Sequence, residues 1–69
     1  MKKFLVKIDR SENYNYVNRY FSDLGDAIFY CCNIKHYRIA EIWDLSKNEM
    51  VAKGDYSQFR NGVFWKNDH

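Results

Sequence analysis

The sequence contains no proline and only three glycines among its 69 residues. So low a content of both residues argues against a disordered or low-complexity chain. No run approaches the roughly 20 apolar residues that a membrane-spanning helix requires. The apolar run behind the basic N-terminus is broken by Lys7 and Asp9, so we expect no signal peptide and no membrane partner.

The sequence also has few cysteines and a small net charge. The two cysteines, Cys31 and Cys32, are adjacent, and adjacent residues rarely have the geometry of a disulfide bond. Free cysteines are typical of a reducing compartment, so we expect the protein in the cytoplasm. The net charge of +2 is too small to predict a nucleic-acid partner from electrostatics alone.

Aromatic residues, in contrast, are abundant: six Tyr, five Phe and two Trp. A chain of this length forms one small domain, residues 1–69, and buries only about 60% of its unfolded surface. Large rings compensate, because each one buries about 150–250 Å². Tyr and Trp are also enriched at interfaces, so a surplus beyond the needs of the core indicates a surface that binds a partner.

Residues 21–36 are predicted to form a helix. Ser22 is suited to the N-cap position, since its hydroxyl can accept from a free backbone N–H of the first turn. Lys35 and His36 would lie in the last turn, where positive charge is favourable. Apolar side chains recur at helical spacing, namely Leu24, Ala27, Ile28 and Cys31.

The remainder of the chain alternates as β-strands do. Strands are predicted over residues 3–9, 14–21, 37–43 and 50–53. The C-terminal segment, 56–66, reads as a terminal hairpin around Asn61 and Gly62 or as an edge strand. We therefore predict an α+β fold: a mainly antiparallel sheet of β-β-α-β-β order plus a C-terminal β element, with one helix packed on one face. The predicted core consists of Phe4, Val6, Ile8, Val17, Leu24, Ile28, Ile42 and Val51.

Metal-binding and catalytic chemistry have little support. Cys31, Cys32 and His36 form a C-C-x3-H pattern, but a zinc site needs about four ligands and no second pair is placed to complete it. Packing as small hydrophobic side chains is the simpler interpretation of the cysteines. No Gly-rich phosphate loop is present, and a pocket of about 300 Å³ or more is hard to fit into so small a domain. We expect no metal, no cofactor and no enzymatic activity.

Aromatic and basic residues lie close together at two places. The first cluster is Tyr14, Tyr16, Arg19 and Tyr20, and the second is Phe59, Arg60, Phe64, Trp65 and Lys66. Rings interleaved with Arg or Lys can stack on single-stranded bases. They can equally anchor a protein interface, where Tyr, Trp and Arg dominate the binding energy. A third interpretation, strongest for the second cluster, is that the rings simply form the core.

Residues 19–51 carry the pattern R-x-F-S-x-L-x-x-A-I-x-Y, followed by a hairpin of the form I-x-D-L-S-x-x-x-x-V-A. The pattern resembles very small proteins of phages and mobile elements, including inhibitors of the anti-CRISPR type, which share this size and β-β-α-β-β order. The resemblance implies a compact inhibitor that occupies a surface of a larger host protein. It carries no catalytic residues, and it does not account for the aromatic C-terminal segment.

The leading hypothesis is therefore a non-enzymatic protein-binding module, such as a phage-encoded inhibitor acting on a host protein or complex. The alternative is a small nucleic-acid-binding protein that uses the two aromatic and basic clusters. Salt dependence separates the two, because phosphate contacts lose affinity steeply with ionic strength. The chain is expected to be a monomer or a homodimer.

Overall fold

Five strands form one antiparallel sheet in the computed structural model, which describes residues 2–10, 16–35 and 37–67. Two helices accompany the sheet, so the predicted α+β fold is confirmed. The elements in chain order are β1 (Phe4–Asp9), β2 (Tyr16–Phe21), α1 (Leu24–Asn33), β3 (Ile39–Asp44), β4 (Glu49–Gly54), α2 (Tyr56–Asn61) and β5 (Trp65–Lys66).

The strand order across the sheet is β2-β1-β3-β4-β5. Strands β1 and β2 are antiparallel neighbours, and their six residues pair in continuous register from Phe4 opposite Phe21 to Asp9 opposite Tyr16. Between β3 and β4 the register shifts beside Ile42 and Trp43. Because β1 occupies the second position, β2 is an edge strand, and the two-residue β5 is the other edge.

One face of the sheet is covered by the helices. Alternate strand residues on this face are almost inaccessible, as predicted for Val6, Ile8 and Ile42. The helices add Ala27, Cys31 and Phe59 to the same cluster. The buried core therefore lies where α1 and α2 meet over the central strands. Its other members are Tyr37, Ala40 and Ala52.

Several residues that the sequence assigns to the core lie at its margin. Leu24 and Ile28, on the first two turns of α1, are only half-buried, and so are Phe4, Val17 and Val51. Leu24 and Ile28 help to line a groove of about 320 Å³ between α1 and the β4–β5 edge. A groove of this volume does fit into the domain, although from the sequence we expect a pocket of about 300 Å³ to be hard to accommodate.

Both ends of α1 differ from the prediction. Asp23 is the N-cap in place of Ser22, with its carboxylate accepting from the N–H of Gly25 at 3.3 Å. At the other end Asn33 closes the helix, its Nδ2 donating to the carbonyl of Phe29 at 2.7 Å. Ile34 is already extended. Lys35 therefore lies outside the helix, and no basic residue occupies the last turn. His36 lies outside the described residues.

Residues 56–61 form the short helix α2, so the strand and terminal hairpin predicted here are wrong, whereas the alternative of a C-terminal edge strand is found as β5 at Trp65–Lys66. Asp55 and Gln58 make a reciprocal capping box: Asp55 accepts from the N–H of Gln58 at 2.8 Å, and the Gln58 side chain accepts from the N–H of Asp55 at 2.9 Å. Gly62 ends the helix in the left-handed conformation, φ 72°. A glycine in the left-handed conformation occurs at helix ends as well as in hairpin turns, so the pair Asn61-Gly62 does not by itself distinguish the two structures.

Candidate functional site

The sheet face opposite the helices is not covered by any described element. We call it the open face. Its members follow from the register, because residues directly opposite each other on neighbouring strands point to the same side. They are Leu5, Lys7, Asp9, Tyr16, Asn18, Tyr20, Ile39, Glu41, Trp43, Met50, Lys53 and Trp65.

Three of the largest exposed rings of the molecule lie on the open face. Tyr16 is 65% exposed, Tyr20 50% and Trp65 49%. Tyr16 and Tyr20 belong to edge strand β2, whereas Trp65 belongs to β5 at the other edge. The fold therefore brings members of both predicted clusters to one surface, although four strand-to-strand steps separate them.

The centre of the open face is built around Trp43, a residue that the sequence did not single out. The ammonium group of Lys7 lies 5.1 Å from the centre of the Trp43 ring, at cation–π distance. The indole Nε1 donates to Glu41 Oε1 at 3.0 Å. Leu5 lies between Trp43 and Tyr20 in the register and is only 8% exposed. Lys7 and Glu41 thus both contact the Trp43 side chain on the open face.

The charges on the open face nearly balance. Lys7, Glu41 and Lys53 lie side by side on three adjacent strands, so the carboxylate of Glu41 stands between two positively charged positions, a favourable cross-strand arrangement. Asp9, at the next position along β1, forms an ion pair with Arg38 at 2.7 Å. A hollow of about 270 Å³ opens between Lys7, Asp9 and Tyr16, with Ile39 and Glu41 as its other walls.

Arg19 is separated from the tyrosines of its cluster. It lies opposite Val6 and therefore on the helix side of β2, where it is exposed and its guanidinium carbon is 5.5 Å from the centre of the Tyr30 ring. Tyr14, the first residue of the predicted cluster, lies outside the described residues. The predicted Tyr/Arg surface is thus split between the two sides of one edge strand.

The second cluster is divided between core and surface. Phe59 is 2% exposed and cannot contact a partner, so its assignment to a binding surface is corrected. Phe64 is half-buried and stacks on it. Arg60 is exposed, but it packs over Tyr56 and donates to its hydroxyl at 2.9 Å. Lys66 is exposed above the Phe64 ring, 5.2 Å from its centre. Only Trp65 reaches the open face.

The two cysteines are free; Cys31 is buried and Cys32 is half-buried. Burial, reinforced by the neighbouring Cys32, raises the pKa of Cys31 to about 12, so its thiol stays protonated at neutral pH. The Cys32 thiol donates to the carbonyl of Phe59 at 3.3 Å. Within residues 2–10, 16–35 and 37–67, no group of three His, Cys, Asp or Glu side chains is arranged to hold a metal ion.

In the described part of the chain, neither helix has the length or the apolar content to cross a lipid bilayer.

Comparisons with known proteins do not extend this description. The chain matches none of the protein-family models, curated proteins or solved structures with which it was compared. The resemblance of residues 19–51 to small phage proteins therefore stays a hypothesis from the sequence.

Proposed function

We propose that this chain is a non-enzymatic protein-binding module and that its open face is the binding surface. The observation that carries the proposal is the exposure of Tyr16, Tyr20 and Trp65 on one sheet face. The three rings lie at the two edges of the face with half-buried Trp43 between them, and large exposed apolar surface is typical of interaction sites. Rings supply large contact area at a small cost in side-chain entropy, which is why they anchor interfaces.

The charge pattern favours a protein partner over a nucleic acid. On this face Glu41 lies between Lys7 and Lys53, and Asp9 is paired with Arg38, so the excess of positive charge is small. A surface that tracks a phosphate backbone carries an excess of positive charge. An aromatic centre with balanced polar groups around it is instead the usual composition of a protein interface.

The narrower hypothesis, a phage-encoded inhibitor that occupies a surface of a larger host protein or complex, rests on the sequence resemblance alone. It is compatible with the proposed site, since a rigid aromatic surface on a small domain can cover a functional patch of a larger partner. Action in the cytoplasm fits the two free cysteines.

Affinity capture with matched variants tests the proposal. The bait is the intact chain, compared with a triple variant, Tyr16→Ser with Tyr20→Ser and Trp65→Ser. The control is Phe29→Ser, because Phe29 is an equally exposed ring, 69%, on helix α1. We expect a protein captured from a candidate host lysate by the intact chain and the control, and affinity weaker by at least about tenfold in the triple variant.

Circular dichroism of all three proteins verifies that the fold is retained. If the triple variant captures the partner as well as the intact chain does, the open face is not the binding surface. The second candidate, binding of single-stranded nucleic acid, is favoured by the ammonium of Lys7 above Trp43, an arrangement also found in base-stacking surfaces. Nuclease treatment that abolishes capture, together with affinity that falls steeply with salt, would establish that candidate instead.

A further inference from the structure

The outer edge of β2 suggests how a partner engages this protein. We propose that an extended segment of the partner adds to β2 as a sixth strand and that this segment alternates apolar residues with an acidic residue placed beside Arg19. The proposal deepens the proposed function and rests on it, since it specifies the form and chemistry of the partner.

Edge strands of natural proteins are usually protected against pairing by short length, proline, bulges or inward-pointing charge. Strand β5 follows this rule, with two residues. Strand β2 lacks the first three of these features, because it has six residues, contains no proline and pairs with β1 without a shift in register; its one such charge is Arg19 on the helix side, which an added strand has to match. In the described part of the chain, no strand pairs with its outer side. Its outward N–H and C=O groups are therefore available to an added strand.

Side chains on the two sides of β2 define what the added strand presents. Toward the open face, Tyr16 and Tyr20 bracket Asn18, so a neighbouring strand places its alternate residues beside exposed rings. Apolar residues suit those positions. On the helix side, Arg19 lies between half-buried Val17 and Phe21. The added strand needs a residue beside Arg19 on this second side.

Charge decides the nature of that residue. Arg19 is exposed, and no carboxylate among the described residues forms an ion pair with it; the ion pair found there joins Arg38 and Asp9. An Asp or Glu directly across from Arg19 would therefore give the guanidinium an ionic partner that no described residue of this chain supplies. A second copy of β2 would be a poorer occupant, because antiparallel pairing centred on Arg19 places two guanidinium groups opposite each other.

Synthetic peptides provide the probe. The parent peptide is Thr-Val-Thr-Val-Glu-Val-Thr-Val-Thr, acetylated and amidated, and its binding is followed by NMR of the labelled protein. Two further peptides carry N-methyl groups, one on the Val amides and one on the Thr and Glu amides. Alternate amides of an added strand point toward β2 and the others point to solvent. Strand addition therefore predicts that one methylated peptide binds as the parent does and that the other loses at least about tenfold in affinity.

The charge is tested by reversal. We expect Arg19→Glu to weaken binding of the parent peptide and to favour a peptide in which Lys replaces Glu. The matched control is Arg60→Glu, since Arg60 is an exposed arginine on α2, remote from the β2 edge, and should leave both affinities unchanged. If the parent peptide binds the Arg19→Glu variant unchanged, and the Lys peptide binds the unaltered protein unchanged, Arg19 does not recognise the acidic residue and that part of the proposal is overturned.

Equal effects of the two methylated peptides, or no saturable binding of the parent peptide, would overturn strand addition. In that case loss of partner capture by the triple variant would still support the proposed function. A failure of strand addition can therefore be distinguished from a failure of the proposed binding surface. Protection of β2 amides from hydrogen exchange that increases with the concentration of the protein alone would identify a second copy as the occupant and likewise overturn the proposal.

Discussion

The ring of Phe64 stacks on the ring of Phe59, with centroids 4.4 Å apart and planes inclined by 14°. The contact joins the segment before β5 to helix α2 and thereby helps to hold β5 at the edge of the sheet. Phe59 itself is the largest fully buried side chain of the described residues. A residue that the sequence left undecided between surface and core is thus central to stability.

Phe59→Ala should destabilise the fold by about 3–5 kcal/mol, because it removes a fully buried ring and leaves a cavity. For a domain of this size that is a large part of the total free energy of unfolding. Urea denaturation measures the effect. Phe29→Ala is the control, since Phe29 is 69% exposed and its truncation should change stability by no more than about 0.5 kcal/mol. Equal losses in the two variants would contradict the assigned core.

Gly54 and Gly25 should respond oppositely to alanine. A Cβ at Gly54 would lie 2.9 Å from Phe64 Cβ and 3.2 Å from Gln58 Cβ, closer than packed atoms tolerate. We expect Gly54→Ala to cost about 1–3 kcal/mol through overpacking. At Gly25, in α1, the nearest such atom is 3.7 Å away, so Gly25→Ala should stabilise by up to about 1 kcal/mol. Thermal melts of both variants test the pair, and a stabilised Gly54→Ala would show that Phe64 is placed differently.

Asp44 gives the stability a dependence on acid pH. The hydroxyl of Ser46 donates to its carboxylate at 2.7 Å and lowers the pKa of Asp44 below the ordinary value of 3.8, outweighing the opposite effect of burial. Since the folded pKa is the lower one, this stabilisation is present above about pH 4 and is lost as the pH falls through the folded pKa. Ser46→Ala should therefore reduce stability at neutral pH, and its difference from the parent should shrink in acid.

The control for this experiment is Ser57→Ala, because Ser57 is an exposed serine of α2 whose described hydrogen bonds are to Asn61. Its effect on stability should not change with pH. A constant difference between Ser46→Ala and the parent across the acid range would mean that the hydroxyl does not act through the charge of Asp44.

Cys31 should resist alkylation in the folded protein. Its thiol is fully buried, and burial raises the pKa of Cys31 from 9.0 to about 12, so the reactive thiolate is scarce at neutral pH. Cys32 is half-buried and should react with iodoacetamide first. Mass spectrometry of the variants Cys31→Ser and Cys32→Ser, folded and in urea, distinguishes the two sites. Faster labelling of Cys31 than of Cys32 in the native state would refute the assigned helix face.

Local pattern determined much of this fold. Alternation in β1 predicted that Val6 and Ile8 face the core, and helical spacing predicted the burial of Ala27 and Cys31. These predictions succeeded because they depend only on the period of the backbone. The sequence also contained a signal for α2, the capping-box pair Asp55 and Gln58, which the strand-like rings of Tyr56 and Phe59 obscured.

The tertiary structure alone decided which surface is left uncovered. Alternation places Ile39, Glu41 and Trp43 on one side of β3, but it cannot say which side the helices cover, because that depends on how α1 and α2 cross the sheet. Alternation along β2 already separates Tyr20 from Arg19, but only the pairing of all five strands puts Tyr20 and Trp65 on the same face. The open face and the position of β2 at an edge are thus products of long-range pairing, which no local period in the sequence encodes.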